Sequence, residues 1–363
     1  MATVFLHVGA PKTGTTYLQD RLARNRASLA RHGVKYPIGM RDSMFLPAVD
    51  LTGIKWPGFH EQASGEWKAL VRRINVARGT VIVSHEVFAV TKPSRIAMAM
   101  EDLAGHDVHV IFTAREPGRQ LAADWQEGLK TYNSRTFDRF LNRIVEADPM
   151  TSRLWFWRAQ HLPRALANWS AVLPPEKVHL LTVPQGPSDT LWLRFCGLTG
   201  IDPAWAPEEA TKVNQSLGIA GAQTLRRLNA ALFKAGVNAE EHRDLVFNTI
   251  VPRLLEVIED PAPISTPPAL DAWVENLAEE WIHWAKSAAI DVVGDLEELR
   301  PLARTGEWQD PDDVQLRRVL RLMTTATVAA VQEATSRPEP AGRLPARVMR
   351  AGRRLLRRPE PVD

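Results

Sequence analysis

Cysteine is nearly absent: Cys196 is the only one in 363 residues. No intramolecular disulfide can staple the chain, so its stability has to come from a packed core. No run of 18 apolar residues occurs, which excludes a membrane-crossing helix on hydropathy. The ten histidines contain no H-x₃-H or mixed Cys/His spacing, so no metal site is expected. The chain enters an apolar stretch at Val4, leaving no room for a signal peptide, and with one cysteine this points to the cytoplasm. Acid is missing from one region in particular. Seven arginines lie between Arg343 and Arg358 with no Asp or Glu among them, so the net charge of +3 belongs to this tail and the remainder is slightly acidic. That distribution argues against a nucleic-acid-binding core. On a helical plot Leu344, Val348, Ala351 and Leu355 share one face opposite the arginines, the pattern of a helix lying on anionic lipid. The alternative for a chain end is a disordered basic tail.

What is present is ordinary for a globular protein. Hydrophobic residues make up 45% and charged residues 24% of a chain long enough to bury a large core. Val/Ile-rich runs at Val4–Val8, Val34–Tyr36, Thr80–Ser84, Val108–Ala114 and Lys177–Val183 alternate with helical patterns, the first over Thr15–Ala30. Strands separated by helices require crossover connections, hence an α/β fold with a parallel sheet covered on both faces. From Ser188 onward the patterns Leu191–Leu198, Leu217–Leu232, Leu245–Ile258, Leu270–Ala288 and Val314–Val331 read as helices, with no further strand. The expected organisation is an α/β core over residues 1–200, a helical C-terminal part over 201–335, and the basic tail over 336–363.

The most informative stretch is Val4-Phe-Leu-His-Val-Gly9-Ala-Pro11-Lys12-Thr13-Gly14-Thr15-Thr16. A strand, a Gly/Pro loop with one lysine and a helix N-terminus follow in the order that builds an anion cradle. Gly9 and Gly14 permit a tight turn with exposed N–H groups, Lys12 adds a full charge, and Thr13, Thr15 and Thr16 add hydroxyl donors. A nucleotide-triphosphatase loop has its lysine after the second glycine, whereas Lys12 precedes Gly14. Pro11-Lys12-Thr13-Gly14-Thr15-Thr16 instead resembles the 5′-phosphosulfate loop, P-K-[ST]-G-[ST]-[ST], of sulfotransferases that use 3′-phosphoadenosine 5′-phosphosulfate (PAPS), and matches it at every position.

Arg115-Glu116-Pro117, leaving the run Val108–Ala114, is similar to the same family's 3′-phosphate segment, R-x-P followed by a serine eight residues after the arginine. Here position 123 is alanine, which removes a hydroxyl donor worth about 1–2 kcal/mol. Arg119, one helical turn beyond Arg115, offers a replacement contact that a serine cannot make. The spacing A-R-x-x-x-R-Q-x-x-x-x-W-Q-E is similar to a bacterial branch of the family. After Val81–Val83 come Ser84, His85 and Glu86, where a base for the acceptor hydroxyl belongs. The Ser-x-Glu pattern resembles bacterial members and favours Glu86 as base, with His85 orienting it or touching acceptor. In an extended segment adjacent side chains diverge, so only one is expected to face the cofactor. Lys212, Asn214 and Ser216 resemble a further nucleotide-proximal segment, although Ser216 is also a good helix N-cap.

The resemblance implies a three-layer, P-loop-like domain and in-line transfer of a sulfuryl group from PAPS to a hydroxyl or amine, on a carbohydrate, lipid-linked or small-molecule acceptor. Lys12 would stabilise charge on the leaving nucleotide, and no metal is required. Two other readings compete. A P-loop-type kinase would need a magnesium-binding carboxylate at a strand end, and no apolar run closes with a suitable aspartate. A non-catalytic nucleotide-binding relative would fit Ala123 and the basic tail but has no use for a Glu/His pair. Tryptophans Trp56, Trp67, Trp155 and Trp157 belong to the core or to a sugar-stacking platform, and the loop-rich Gly39–Trp67 segment is placed to cover an acceptor.

Overall fold

A computed structural model describes residues 1–38, 43–56, 58–186, 189–211, 215–258, 262–304 and 306–336. Contacts divide the chain into two compact units. The first comprises Met1–Asp124, Leu141–Asn214 and Ser265–Trp308; the second comprises Trp125–Phe140, Gln215–Ile264 and the chain from Gln309.

The first unit is built on a six-stranded sheet in the order β2-β3-β1-β4-β5-β6. Its strands are β1 (Ala2–Gly9), β2 (Val34–Lys35), β3 (Gly79–Ser84), β4 (Asp107–Ala114), β5 (Val178–Thr182) and β6 (Asp291–Val293). Every pairing is parallel. The central strand β1 buries both parities, Val4 and Val8 at 0% exposure and His7 likewise. A strand can do that only when helices cover both faces of its sheet. The crossovers supply them: α1 (Thr15–Arg24) and α2 (Arg26–Arg31), then α3 (Phe45–Thr52), α4 (His60–Ala63) and α5 (Glu66–Asn75), then α6 (Pro93–Asp102). Helix α7 (Pro117–Lys130) follows β4. The α/β class and the five apolar runs read as strands agree with this sheet.

Two expectations need correction. The single helix expected over Thr15–Ala30 is broken at Asn25. Its side chain donates to the carbonyls of Arg21 at 2.9 Å and Glu208 at 2.7 Å, and accepts from Glu208 N–H at 2.9 Å. The amide binds a distant segment in place of solvent, and the backbone bends to allow it. The second correction is β6, in a region read as wholly helical. Three residues, exposed to half-buried, carry no period of their own. They become a strand because β5 offers an open edge, pairing His179 with Asp291 through Leu181 with Val293. The turn that follows is locked to β5 and the helix Asp189–Thr199. Glu298 accepts from Arg194 through both carboxylate oxygens, at 2.6 and 2.8 Å, and from the Thr182 hydroxyl at 2.6 Å.

The second unit is helical around Gly218–Lys234. Inside it the Asn229 amide donates to the carbonyls of Leu129 and Asn133, each at 2.7 Å, and its oxygen lies 2.8 Å from His242 Nε2. The pattern Leu245–Ile258 forms as a π-helix over Arg243–Ile250 continuing as an α-helix over Val251–Val257. Among the described residues no helix is long and apolar enough to cross a membrane. The Arg343–Arg358 tail lies outside the described residues.

Candidate functional site

The strand order makes a crevice. After β1 the chain moves to the β2 side of the sheet, and after β3 it crosses to β4 on the other side of β1. The C-terminal ends of β1 and β4 therefore lie at a topological switch point, where open α/β sheets bind ligands. Lys12 and its loop leave one of these ends, and Arg115 leaves the other.

Gly14 is the N-cap of α1 at φ 90°, and no side chain caps the first turn. The N-cap residue, a glycine, thus offers no side chain to the first N–H groups of this ten-residue helix. A side chain at Gly14 would run into Leu191. Lys12 also sits at positive φ, 65°. Thr13 departs from its expected role. It is fully buried, its hydroxyl donating to the Ala10 carbonyl at 2.6 Å and lying 2.5 Å from Thr113 Oγ1. Its side chain closes the loop from below and is not a ligand donor. Thr15 is buried as well, and Thr16 is half-buried.

On the β4 side, Arg115 Nη2 donates to the Arg119 carbonyl at 2.9 Å. Arg115 Nε, Arg119 Nη1 and both polar ends of the Gln120 amide are buried without a hydrogen-bond partner among the described residues. Buried donors in that condition are costly unless a ligand satisfies them. Burial first, and then the neighbouring Arg119, lower Arg115 to about 10, so it stays cationic at neutral pH. Glu116 does not neutralise the pair freely. Its carboxylate accepts from Gly118 N–H at 2.5 Å and Arg119 N–H at 2.8 Å, capping α7. Burial holds its carboxyl above the usual range against those bonds and the two arginines. The unpartnered Gln120 was legible only as part of the Arg-Gln pair and was not anticipated as a site residue.

His85 and Glu86 follow β3. His85 remains extended, but Glu86 opens a 3₁₀ turn over Glu86–Val90, so the strand alternation ends between them. The two side chains converge, His85 Nδ1 lying 3.8 Å from Glu86 Oε2, which corrects the expectation that only one would face the site. His85 Nδ1 accepts the Val87 N–H at 3.2 Å, so the imidazole hydrogen sits on Nε2. Burial lowers the His85 pKa, keeping the ring neutral. Burial pushes the Glu86 carboxyl up, but the charge of His85 when protonated, a backbone N–H, Gln19 and Lys12 hold it below its usual range, and with His85 neutral the last three remain. Gln19 Nε2 donates to Glu86 Oε2 at 3.2 Å.

An aromatic wall stands beside this pair. Phe45 lies with its ring centroid 5.6 Å from His85, 5.3 Å from Trp56 and 5.0 Å from Phe59. Trp56 meets Trp155 edge to face at 5.8 Å. These four rings are half-buried, whereas Trp67 and Trp157 are core at 2% and 1% exposure. The segment read as loop-rich carries α3 and α4, and it brings Phe45, Trp56 and Phe59 to the wall.

His7 is a second residue the sequence reading missed. Its signal was a lone polar residue in the apolar run of β1. It is fully buried between Ser84, 2.7 Å from Nδ1, and Thr113, 3.2 Å from Nε2. Ser216 belongs to the second unit, where its hydroxyl donates to Gln126 at 3.0 Å and accepts the Gly218 N–H at 3.1 Å. Those bonds account for it as a helix-start residue. Lys212 and Asn214 lie outside the described residues. Cys196 is buried, and burial pushes its thiol up to about 12, so it is inert. Among the described residues no cluster of three potential metal ligands occurs. Comparison with protein-family models, curated proteins and solved structures finds no match.

Proposed function

We propose that this chain is a sulfotransferase that moves a sulfuryl group from PAPS to an acceptor hydroxyl. One arrangement carries the reading: a lysine-bearing loop and a half-buried arginine pair, each with one buried nitrogen unpartnered among the described residues, flank the switch-point crevice, with an ionised carboxylate within reach of the lysine's charge. A nucleotide with phosphates at both its 5′ and 3′ positions suits two such cationic corners.

In the proposed reaction the acceptor oxygen attacks sulfur, an O–S bond forms, and the S–O bond to the nucleotide phosphate breaks. Lys12 and the N–H groups at the start of α1 stabilise the charge that grows on the leaving phosphate oxygen. Glu86 takes the acceptor proton. His85 is unsuited to that task, because its only lone pair is engaged by Val87 N–H. Arg115, with Arg119 in place of the serine absent at position 123, holds the 3′-phosphate and so selects PAPS over ATP. The half-buried wall of Phe45, Trp56, Phe59 and Trp155 supports an acceptor with a flat C–H surface, as a carbohydrate ring presents.

The kinase reading gains nothing from the β4 end: the carboxylate there, Glu116, is committed to two backbone N–H groups. The deciding experiment is calorimetric titration with 3′-phosphoadenosine 5′-phosphate (PAP), ADP and ATP, in the absence of magnesium. Tight binding of PAP alone is expected; equal or preferred binding of ATP overturns the proposal.

A further inference from the structure

A buried polar chain runs beneath the crevice, and its hydrogen directions can be assigned. Thr113 has one hydroxyl hydrogen and two outlets for it, the Gly9 carbonyl at 2.9 Å and Thr13 Oγ1 at 2.5 Å. Both are nearer than His7 Nε2, at 3.2 Å, and Thr13 spends its own hydrogen on the Ala10 carbonyl, so the Thr113 hydrogen is assigned to one of these oxygens and His7 Nε2 carries the hydrogen toward Thr113. A ring this deeply buried is neutral; burial lowers its pKa to about 4. Nδ1 is then bare and takes the Ser84 hydroxyl hydrogen at 2.7 Å. The Ser84 oxygen in turn accepts from Gln19 Nε2 at 3.4 Å, and the other hydrogen of that amide goes to Glu86 at 3.2 Å. Because an ionised carboxylate only accepts, the Gln19 amide orientation is fixed as well.

We propose that His7 is a positioning residue that ties the anion loop to Glu86, one nitrogen holding each side; this rests on the sulfotransferase reading. Through Thr113 and Thr13 the Nε2 arm reaches the carbonyls of Gly9 and Ala10, which set the path of the loop that carries Lys12. Through Ser84 and Gln19 the Nδ1 arm holds the carboxylate. One rigid ring on the central strand thus sets the separation between leaving-group stabiliser and base, a distance that in-line transfer has to keep constant. Protonation of Nδ1 would turn an acceptor into a donor facing Ser84, whose hydrogen would then have no outlet in the chain.

The two arms can be cut separately. Thr113→Val severs the loop arm and is expected to weaken PAP binding about tenfold, leaving the acid limb of the kcat/KM pH profile in place. Ser84→Ala severs the carboxylate arm and is expected to move that limb upward by half a unit or more, with PAP affinity held within twofold. His7→Phe should do both. His7→Gln, which keeps one donor and one acceptor, should recover most of the loss and covers the case in which the Phe variant fails to fold. Nitrogen-15 NMR of the imidazole in the wild-type protein should report a neutral Nε2–H ring from pH 8 down to pH 5.5.

The inference is overturned by an Nδ1–H tautomer, by titration near pH 6.5, or by variants that lower kcat alike while both diagnostic readouts stay put. Wild-type protein that binds no PAP defeats the sulfotransferase reading and this role with it. Binding and transfer by the wild type, without separation of the two arms, defeats the His7 inference alone.

Discussion

Arg115 Nη2 donates to the carbonyl of Arg119, 2.9 Å away and one turn along α7, while Arg115 Nε and Arg119 Nη1 are left buried without partners among the described residues. The bond pins the first guanidinium against the helix that carries the second. An anion received there meets donors already oriented, and the charge-assisted bonds it forms are the strong kind.

Arg115→Ala is therefore expected to weaken PAP binding by about 10- to 100-fold, the range of one or two hydrogen bonds to a charged group. ADP, which lacks the 3′-phosphate, should bind wild type and variant alike. Arg119→Ala should cost less, since its donor is the replacement for a single hydroxyl. Calorimetry on the three proteins with both nucleotides checks this.

Glu86→Gln should lower kcat by about 10²–10⁴-fold, the usual contribution of a positioned base. PAP affinity should not fall, because the lost charge is negative and stood near Lys12. His85→Ala should cost about 1 kcal/mol through the lost cap on Val87 N–H and leave the acid limb of the pH profile where it was. An acid limb abolished by the His85 variant and kept by the Glu86 variant would reverse the assignment.

Gly14→Ala puts a side chain at φ 90° and against Leu191. The left-handed conformation alone costs about 1–2 kcal/mol for a residue with a Cβ, so Tm should drop by several degrees. Leu191 can turn its side chain aside, but the positive φ is a strain of the backbone itself, and relieving it moves the loop's N–H groups, so PAP affinity should fall too. Thermal denaturation with and without PAP measures both effects.

Acid should destabilise the fold through its buried imidazoles. His7 titrates near 6.5 when unfolded and about 4 when folded, so between those values the unfolded chain binds the proton and the folded chain does not. Its contribution is complete above pH 6.5 and is lost as pH falls toward 4, a total of about 3 kcal/mol. His161 and His242, also lowered to about 4 by burial, act in the same direction. Urea unfolding between pH 7.5 and 5 should show the loss, and His7→Gln should show a shallower slope.

The local order of the chain was written plainly in its residues. Apolar runs of Val and Ile marked five strands to within two residues, and Gly14 followed by a helical pattern marked the start of α1. Those features depend on neighbours a few positions apart, and period and turn chemistry are enough to express them. Lys12, Arg115 and Glu86 could be nominated for the same reason, since each stands where an apolar run stops.

Tertiary structure decided what local pattern cannot encode. β6 exists because β5 leaves an edge to pair with, and the break at Asn25 exists because its amide found Glu208. Thr13 became a brace because Thr113 lies beneath it, a contact spanning 100 residues. His85 and Glu86 converge because the backbone enters a 3₁₀ turn between them. His7 reads in sequence as an oddity inside a strand; its partners Ser84 and Thr113 lie 77 and 106 residues away. Hydrogen-bond partners for buried groups are chosen by the packing of the whole sheet. A sequence can show that a buried histidine needs partners, but only the assembled sheet shows which ones it has.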